Sequence, residues 1–94
     1  MPIIIAPSVQ TKLGNKTPPV SLRKIEQCFD NIPFGLLQDD REKNKTNPPT
    51  MWFIAPTNKY RLLKIVFVQK GQNIYIKTAY DPNSVELRVY IEHG

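Results

Sequence analysis

A chain of 94 residues, 40% hydrophobic and 22% charged, is the size of one domain with a single modest core, here residues 1–94. Its one cysteine, Cys28, excludes an internal disulfide and a cysteine-cluster metal site, and no apolar run is long enough to cross a bilayer. A net charge of +5, from 13 Lys and Arg against 8 Asp and Glu, favours a polyanionic partner.

The chain opens Met1-Pro2-Ile3-Ile4-Ile5, without the basic start and long apolar centre of a signal peptide, so a reducing cytoplasm is the expected setting. Ile3 to Ile5 read as an edge strand or a lead-in to a helix. Pro7 suits a first helical position, and Val9 and Leu13 are four apart before Gly14 stops the turn. Pro18-Pro19 keeps the next stretch irregular. Ser21 then reads as the N-cap of a helix running to about Phe29, with Leu22, Ile25 and Phe29 on one stripe and Cys28 beside them as a small core residue. Val20, before the cap, is placed to staple onto Ile25.

Phe34 to Gln38 allows a short first strand. The Asp39-Asp40-Arg41-Glu42-Lys43 stretch holds three acids, but its flanking cations suit a solvated loop better than a divalent-metal site, and no metal or other cofactor is expected. Thr50 to Ala55 is a strand apolar on both faces, with Trp52 and Ile54 on one side and Met51, Phe53 and Ala55 on the other. Trp52 reads as core in preference to a base-stacking platform.

Arg61 to Val68 and Gln72 to Tyr80, joined at Lys70-Gly71, predict a β-hairpin. Strict alternation puts Leu63, Ile65 and Phe67 with Ile74, Ile76 and Thr78 on one apolar face, which the Ser21 helix covers. The other face then carries Lys64 and Lys77 with Tyr75, a cationic floor for a phosphate-bearing ligand. After it, Asp81-Pro82-Asn83 and the Asn83/Glu86 spacing signal a helix start, whereas Val85, Leu87, Val89 and Ile91 alternate like a strand. The start signal favours a short C-terminal helix. The expected fold is therefore α+β: two short N-terminal helices packed on a small antiparallel sheet of three to four strands, closed by that helix.

From Lys43 through Tyr80 there is no acidic residue, while Lys43, Lys45, Lys59, Arg61, Lys64, Lys70 and Lys77 all fall there. A one-signed block of this kind predicts a positive surface for RNA or DNA. The chain has no GxSxG, no phosphate-cradling Gly-rich loop, no CxxC and no HExxH, and its only histidine is the penultimate His93. Catalysis by a histidine pair or a Ser-His-Asp triad is thereby excluded within one chain. RNA cleavage by its own 2′-hydroxyl needs only positioning, a proton acceptor and charge stabilisation. Lys64, Lys77, Arg88, Glu86 and Tyr90 are the candidate catalytic groups, with Arg61, Lys59, Tyr75, Tyr80 and Lys45 as candidate RNA contacts. A non-catalytic nucleic-acid-binding module and a protein-interaction adaptor are the alternatives.

The order of Ser21 to Phe29 (SLRKIEQCF), Arg41, Trp52, Arg61-Leu62-Leu63, Val66, Ile74-Tyr75-Ile76, Ala79, Glu86, Arg88 and Tyr90 resembles BrnT-type ribonuclease toxins of type II toxin–antitoxin systems. The likeness runs from about Val20 onward. It departs where Tyr60 stands in place of a glycine before Arg61, where Lys16 is followed by Thr17 in place of histidine, and where Glu86 and Arg88 are split by Leu87. The resemblance implies a RelE-like fold and a metal-independent endoribonuclease toxin. It also implies RNA and a cognate antitoxin as partners, with the ribosome added for a translation-dependent toxin, and an RNA site at Arg61, Lys77, Arg88 and Tyr90.

Overall fold

The structure, a computed structural model, describes residues 2–39 and 48–94. Its elements in chain order are β1 (Ile3–Ile4), α1 (Pro7–Gly14), α2 (Leu22–Asp30), β2 (Leu37–Gln38), β3 (Thr50–Pro56), β4 (Leu62–Lys70), β5 (Asn73–Tyr80) and α3 (Ser84–His93). The α+β class stands. The sheet has five strands, in the order β1-β5-β4-β3-β2, where three to four antiparallel ones were expected. Both edge strands have only two residues: β2 falls within the short strand read at Phe34 to Gln38, and β1 within the Ile3 to Ile5 stretch read as an edge strand or a lead-in. One of them, β1, runs parallel to β5, tied by the Ile74 amide donating to the Pro2 carbonyl at 2.9 Å. The other three pairings are antiparallel.

The hairpin forms as read, turning at Gly71, whose φ of 61° a side chain would resist. Its faces do not follow strict alternation. Val66 pairs with Thr78 but Phe67 pairs with Ile76, so Lys77 is an extra residue at a β-bulge. A one-residue insertion reverses the facing of everything beyond it. Ile74, Ile76 and Ala79 consequently face the core together, Thr78 moves to the opposite face beside Val66, and Lys77 is exposed at the irregularity. Lys64 and Lys77 therefore do not form a shared floor with Tyr75.

The α2 helix starts where Ser21 accepts from the Lys24 amide at 3.3 Å, a cap worth about 1 kcal/mol. It covers the first sheet face. Its Phe29 ring meets Phe53 and Phe67 edge-on at centroid distances of 4.8 and 5.4 Å, and Ile25 and Cys28 are fully buried. The Cys28 thiol donates to the Ala55 carbonyl at 3.5 Å, and burial pushes its pKa up to about 11. It is a core residue, not a nucleophile. The α1 helix contributes Leu13 to the same core, beside Val20.

The terminal segment is a helix. Asn83 and Glu86 each bond the other's backbone amide, at 2.8 and 3.0 Å, which completes the capping box. The α3 helix lies against the second face, where Tyr90 is buried, tilts over Trp52 at 5.8 Å and donates its hydroxyl to the Gly35 carbonyl at 2.8 Å. Replacing Phe53, which joins the α2 side of the core to the central strands, by Ala is expected to cost about 3–5 kcal/mol in urea-monitored unfolding. A loss below about 1 kcal/mol would place Phe53 outside the core.

Candidate nucleic-acid interface

The candidate residues named from sequence fall into three places. Lys64 on β4 pairs across the sheet with Tyr80 on β5, and both side chains meet Glu86 on α3. Glu86 Oε2 accepts from Lys64 Nζ at 2.8 Å and from Tyr80 Oη at 2.7 Å, while Oε1 accepts from the Asn83 amide. Lys64 Nζ also lies 4.4 Å from the Trp52 ring centroid and 5.6 Å from that of Tyr80, within cation–π range. Lys64 and Glu86 are only 11% and 19% exposed. Burial alone would raise the Glu86 pKa, but the bonds from Lys64, Asn83 and Tyr80 outweigh it and bring the pKa from 4.5 to about 2. Burial, then the bond to Glu86, raises that of Tyr80. The cluster is a structural lock as much as a site, since every oxygen of Glu86 already accepts.

Tyr75 lies toward the other end of the hairpin under Lys70, opposite Val68 and so roughly 13 Å along β4 from Lys64 at the usual rise per residue. Lys77 and Arg88 are exposed and make no hydrogen bond or ion pair with the described residues. Tyr90 is committed to Gly35. Lys64 and Tyr90 both meet the Trp52 ring, at 4.4 and 5.8 Å, but the Tyr90 hydroxyl is spent on Gly35 and neither the Lys77 nor the Arg88 side chain bonds to them. Lys45, and the Asp40 to Lys43 part of the acidic loop with Arg41, lie outside the described residues. Among those described, no cluster of His, Cys, Asp and Glu could hold a metal.

Arg61 and Lys59 belong to a third place, in which sequence reasoning did not put Arg23 and Lys24. A groove of about 500 Å³ runs between the first turns of α2 and the β3–β4 loop, lined by Arg23, Lys24, Gln27, Lys59 and Arg61 with Ser21, Thr57 and Asn58. Four cations and no acid line it. Helix periodicity places Arg23, Lys24 and Gln27 on the exposed side of α2, but the loop that completes the groove is more than thirty positions away. The Asn58 amide donates to Gln27 Oε1 at 3.1 Å and so joins the two walls.

Thr57 shapes the loop. Its buried hydroxyl accepts from the amides of Lys59 and Arg61 at 3.3 and 3.2 Å, and its own amide donates to the Arg61 carbonyl at 2.8 Å. This tight turn forces Tyr60 to a φ of 67°, a left-handed conformation that costs a non-glycine residue roughly 1–2 kcal/mol. The Arg61 guanidinium is braced by a two-point pair with Asp81 at 2.9 and 3.2 Å and by the Pro19 carbonyl at 3.2 Å. Three of its five N–H groups are used, leaving two without a partner among the described residues. Its bond to Asp81 holds that carboxyl below its ordinary range. Lys24 Nζ donates to Pro19 O at 2.7 Å, and Arg23 and Lys59 are exposed without a partner among the described residues.

Compared with family models, curated proteins and solved structures, the chain finds no match. The site is therefore read from its own chemistry. No helix among the described residues is long and apolar enough to cross a membrane.

The Glu86 lock sets an acid limit on stability. A carboxyl whose folded pKa lies below its unfolded value stabilises above the unfolded value, and the gain is lost as pH falls through the folded one. Stability is expected to fall between pH 4.5 and 2. Glu86→Gln should flatten that limb in denaturation curves taken across the window, and an unchanged acid limb would show that Glu86 does not set it.

Proposed function

We propose that this chain binds nucleic acid, RNA foremost, through its phosphates in the Arg23–Lys24–Lys59–Arg61 groove. The observation that carries the reading is the composition of that groove: two elements distant in sequence bring four cations to one concavity without an acid among its lining residues. Each arginine offers forked donors matched to phosphate oxygens, and each lysine a point charge. A groove of this kind draws polyanions and releases their counterions on binding, which makes affinity fall steeply with salt. Arg61, already braced by Asp81 and Pro19, presents its remaining N–H groups in a fixed orientation and loses little freedom on binding.

A second reading, the metal-independent endoribonuclease toxin held inactive by an antitoxin, rests on the meeting of Lys64, Tyr80 and Glu86 in one largely buried cluster. In that reading RNA supplies the 2′-hydroxyl nucleophile, the cluster handles its proton, and an acidic antitoxin segment neutralises the groove. With its carboxylate held by three bonds and its pKa lowered to about 2, Glu86 is a weak proton acceptor, so binding is the reading the geometry supports better.

The test is anisotropy of labelled RNA across a salt series. The double variant Arg23→Ala/Lys59→Ala is expected to weaken binding and to lower the slope of log affinity against log salt by about 1.4, for two lost phosphate contacts on a single strand. Unchanged affinity and slope would remove the groove from the reading. Incubation of the same RNA in EDTA separates catalysis: the binding reading expects intact RNA. Discrete fragments that persist in the double variant but vanish in Tyr80→Phe or Glu86→Gln would establish the nuclease in its place.

A further inference from the structure

Tyr60 is the most exposed large hydrophobic side chain described, at 88%, and the one non-glycine residue among those described with positive φ. Its ring makes no aromatic or cation contact with the described residues. It nevertheless stands on a fixed base, because the Tyr60 amide donates to the Thr57 carbonyl at 2.9 Å within the turn that the Thr57 hydroxyl closes. A ring that packs nowhere, held in a strained conformation between Lys59 and Arg61, points to a ligand it meets on binding.

The surroundings identify the ligand's chemistry. Beside the cationic groove lies a second hollow of about 390 Å³, lined by Asn31, Pro56, Thr57, Asn58 and Tyr60. Thr57 and Asn58 line both, so the two adjoin at the same turn. In the hollow, Asn31 Nδ2 donates to the Pro56 carbonyl and to Asn58 Oδ1, each at 3.0 Å. Those bonds fix both amides and leave Asn31 Oδ1 and Asn58 Nδ2, an acceptor and a donor, without partners among the described residues. A flat apolar ring, a free donor and a free acceptor next to a phosphate groove match an unpaired nucleobase and its backbone.

We infer that the chain selects single-stranded over duplex nucleic acid by stacking one unpaired base on Tyr60, with its polar edge toward Asn31 and Asn58 and its flanking phosphates in the groove. The inference rests on the nucleic-acid reading above and adds the strand state and the contact that reads it. A duplex keeps its bases stacked inside and offers the ring nothing, whereas every unpaired base has a face to stack.

The experiment compares the full chain with Tyr60→Gly and Tyr60→Phe on four labelled probes: an oligouridylate, an abasic phosphodiester of equal charge, an RNA duplex and a polyglutamate peptide. Tyr60→Gly removes the strained residue from the turn, so it retains the fold. Tyr60→Gly is expected to weaken oligouridylate binding by about 5- to 150-fold, with duplex and abasic binding and the salt slope unchanged, and Tyr60→Phe to bind like the parent. Equal oligouridylate affinity in parent and Tyr60→Gly would overturn the stacking contact while leaving groove binding in place. No salt-sensitive binding to any nucleic-acid probe would overturn the groove reading and this inference together. Polyglutamate bound as tightly as oligouridylate would assign the surface to an acidic protein.

Discussion

The arrangement of the second sheet face hangs on one carboxylate. Glu86 closes the capping box of α3, receives the ammonium of Lys64 and receives the hydroxyl of Tyr80. A helix end, a charged strand residue and a phenol would each carry a desolvation cost alone. Sharing one acceptor group satisfies all three at once, and it fixes where α3 starts relative to β4 and β5. Starting there, α3 brings Tyr90 one turn later over Trp52, and the Gly35 carbonyl takes its hydroxyl. Trp52 is thus met by the tilted Tyr90 ring and by the Lys64 ammonium over its face, which explains an aromatic residue on a face that also carries a lysine.

Local signals were legible wherever the physics is local. Ser21 and the Asn83/Glu86 pair announce a helix start through groups that bond within four residues, Pro7 through its fixed φ and missing N–H, and each start is observed. The terminal segment shows why capping outweighs alternation there. In the helix, Tyr90 is buried and Leu87 packs against the core, while Val85, Val89 and Ile91 stay exposed, so the alternating apolar run was not a buried sheet face. The hairpin was legible for the same reason as the helix starts, but its facing was not. The bulge at Lys77 depends on which residues of β4 it sits across from, and no period in β5 alone reveals it. The stretches holding β1 and β2 are legible as strands, but their two-residue length and the parallel pairing of β1 are set only by the strand each joins.

The acid-free block from Lys43 to Tyr80 shows how linear charge misleads. Its Arg61 and Lys64 find their counterions just past its end, at Asp81 and Glu86, because the chain folds back onto the hairpin. Cations from outside the block, Arg23 and Lys24, meanwhile join Lys59 and Arg61 across the Asn58–Gln27 bond. The cationic groove is therefore assembled by topology, at one end of α2, with Asp81 offsetting Arg61 and with Arg23 and Lys59 lacking an ion-pair partner among the described residues. Sequence located two of its four cations and could not supply the other two, since helix periodicity marks Arg23 and Lys24 only as solvent-facing.

The same turn that presents the groove also raises its own energy. A left-handed tyrosine costs the folded state roughly 1–2 kcal/mol, and an 88% exposed ring returns almost no burial energy against that cost. The turn persists because Thr57 overdetermines it, with a buried hydroxyl that accepts two amides and an amide that donates across the loop. Strain held in place by a buried polar residue is preorganisation: the ring occupies its binding position before any ligand arrives. For a base to bind there, the chain orders nothing further in that turn, and the stacking free energy appears in affinity instead of being consumed by closure. Charge in the groove then governs how strongly a polyanion is drawn in, while Tyr60 governs which strand state is kept, and the two respond differently to salt because only the first releases counterions.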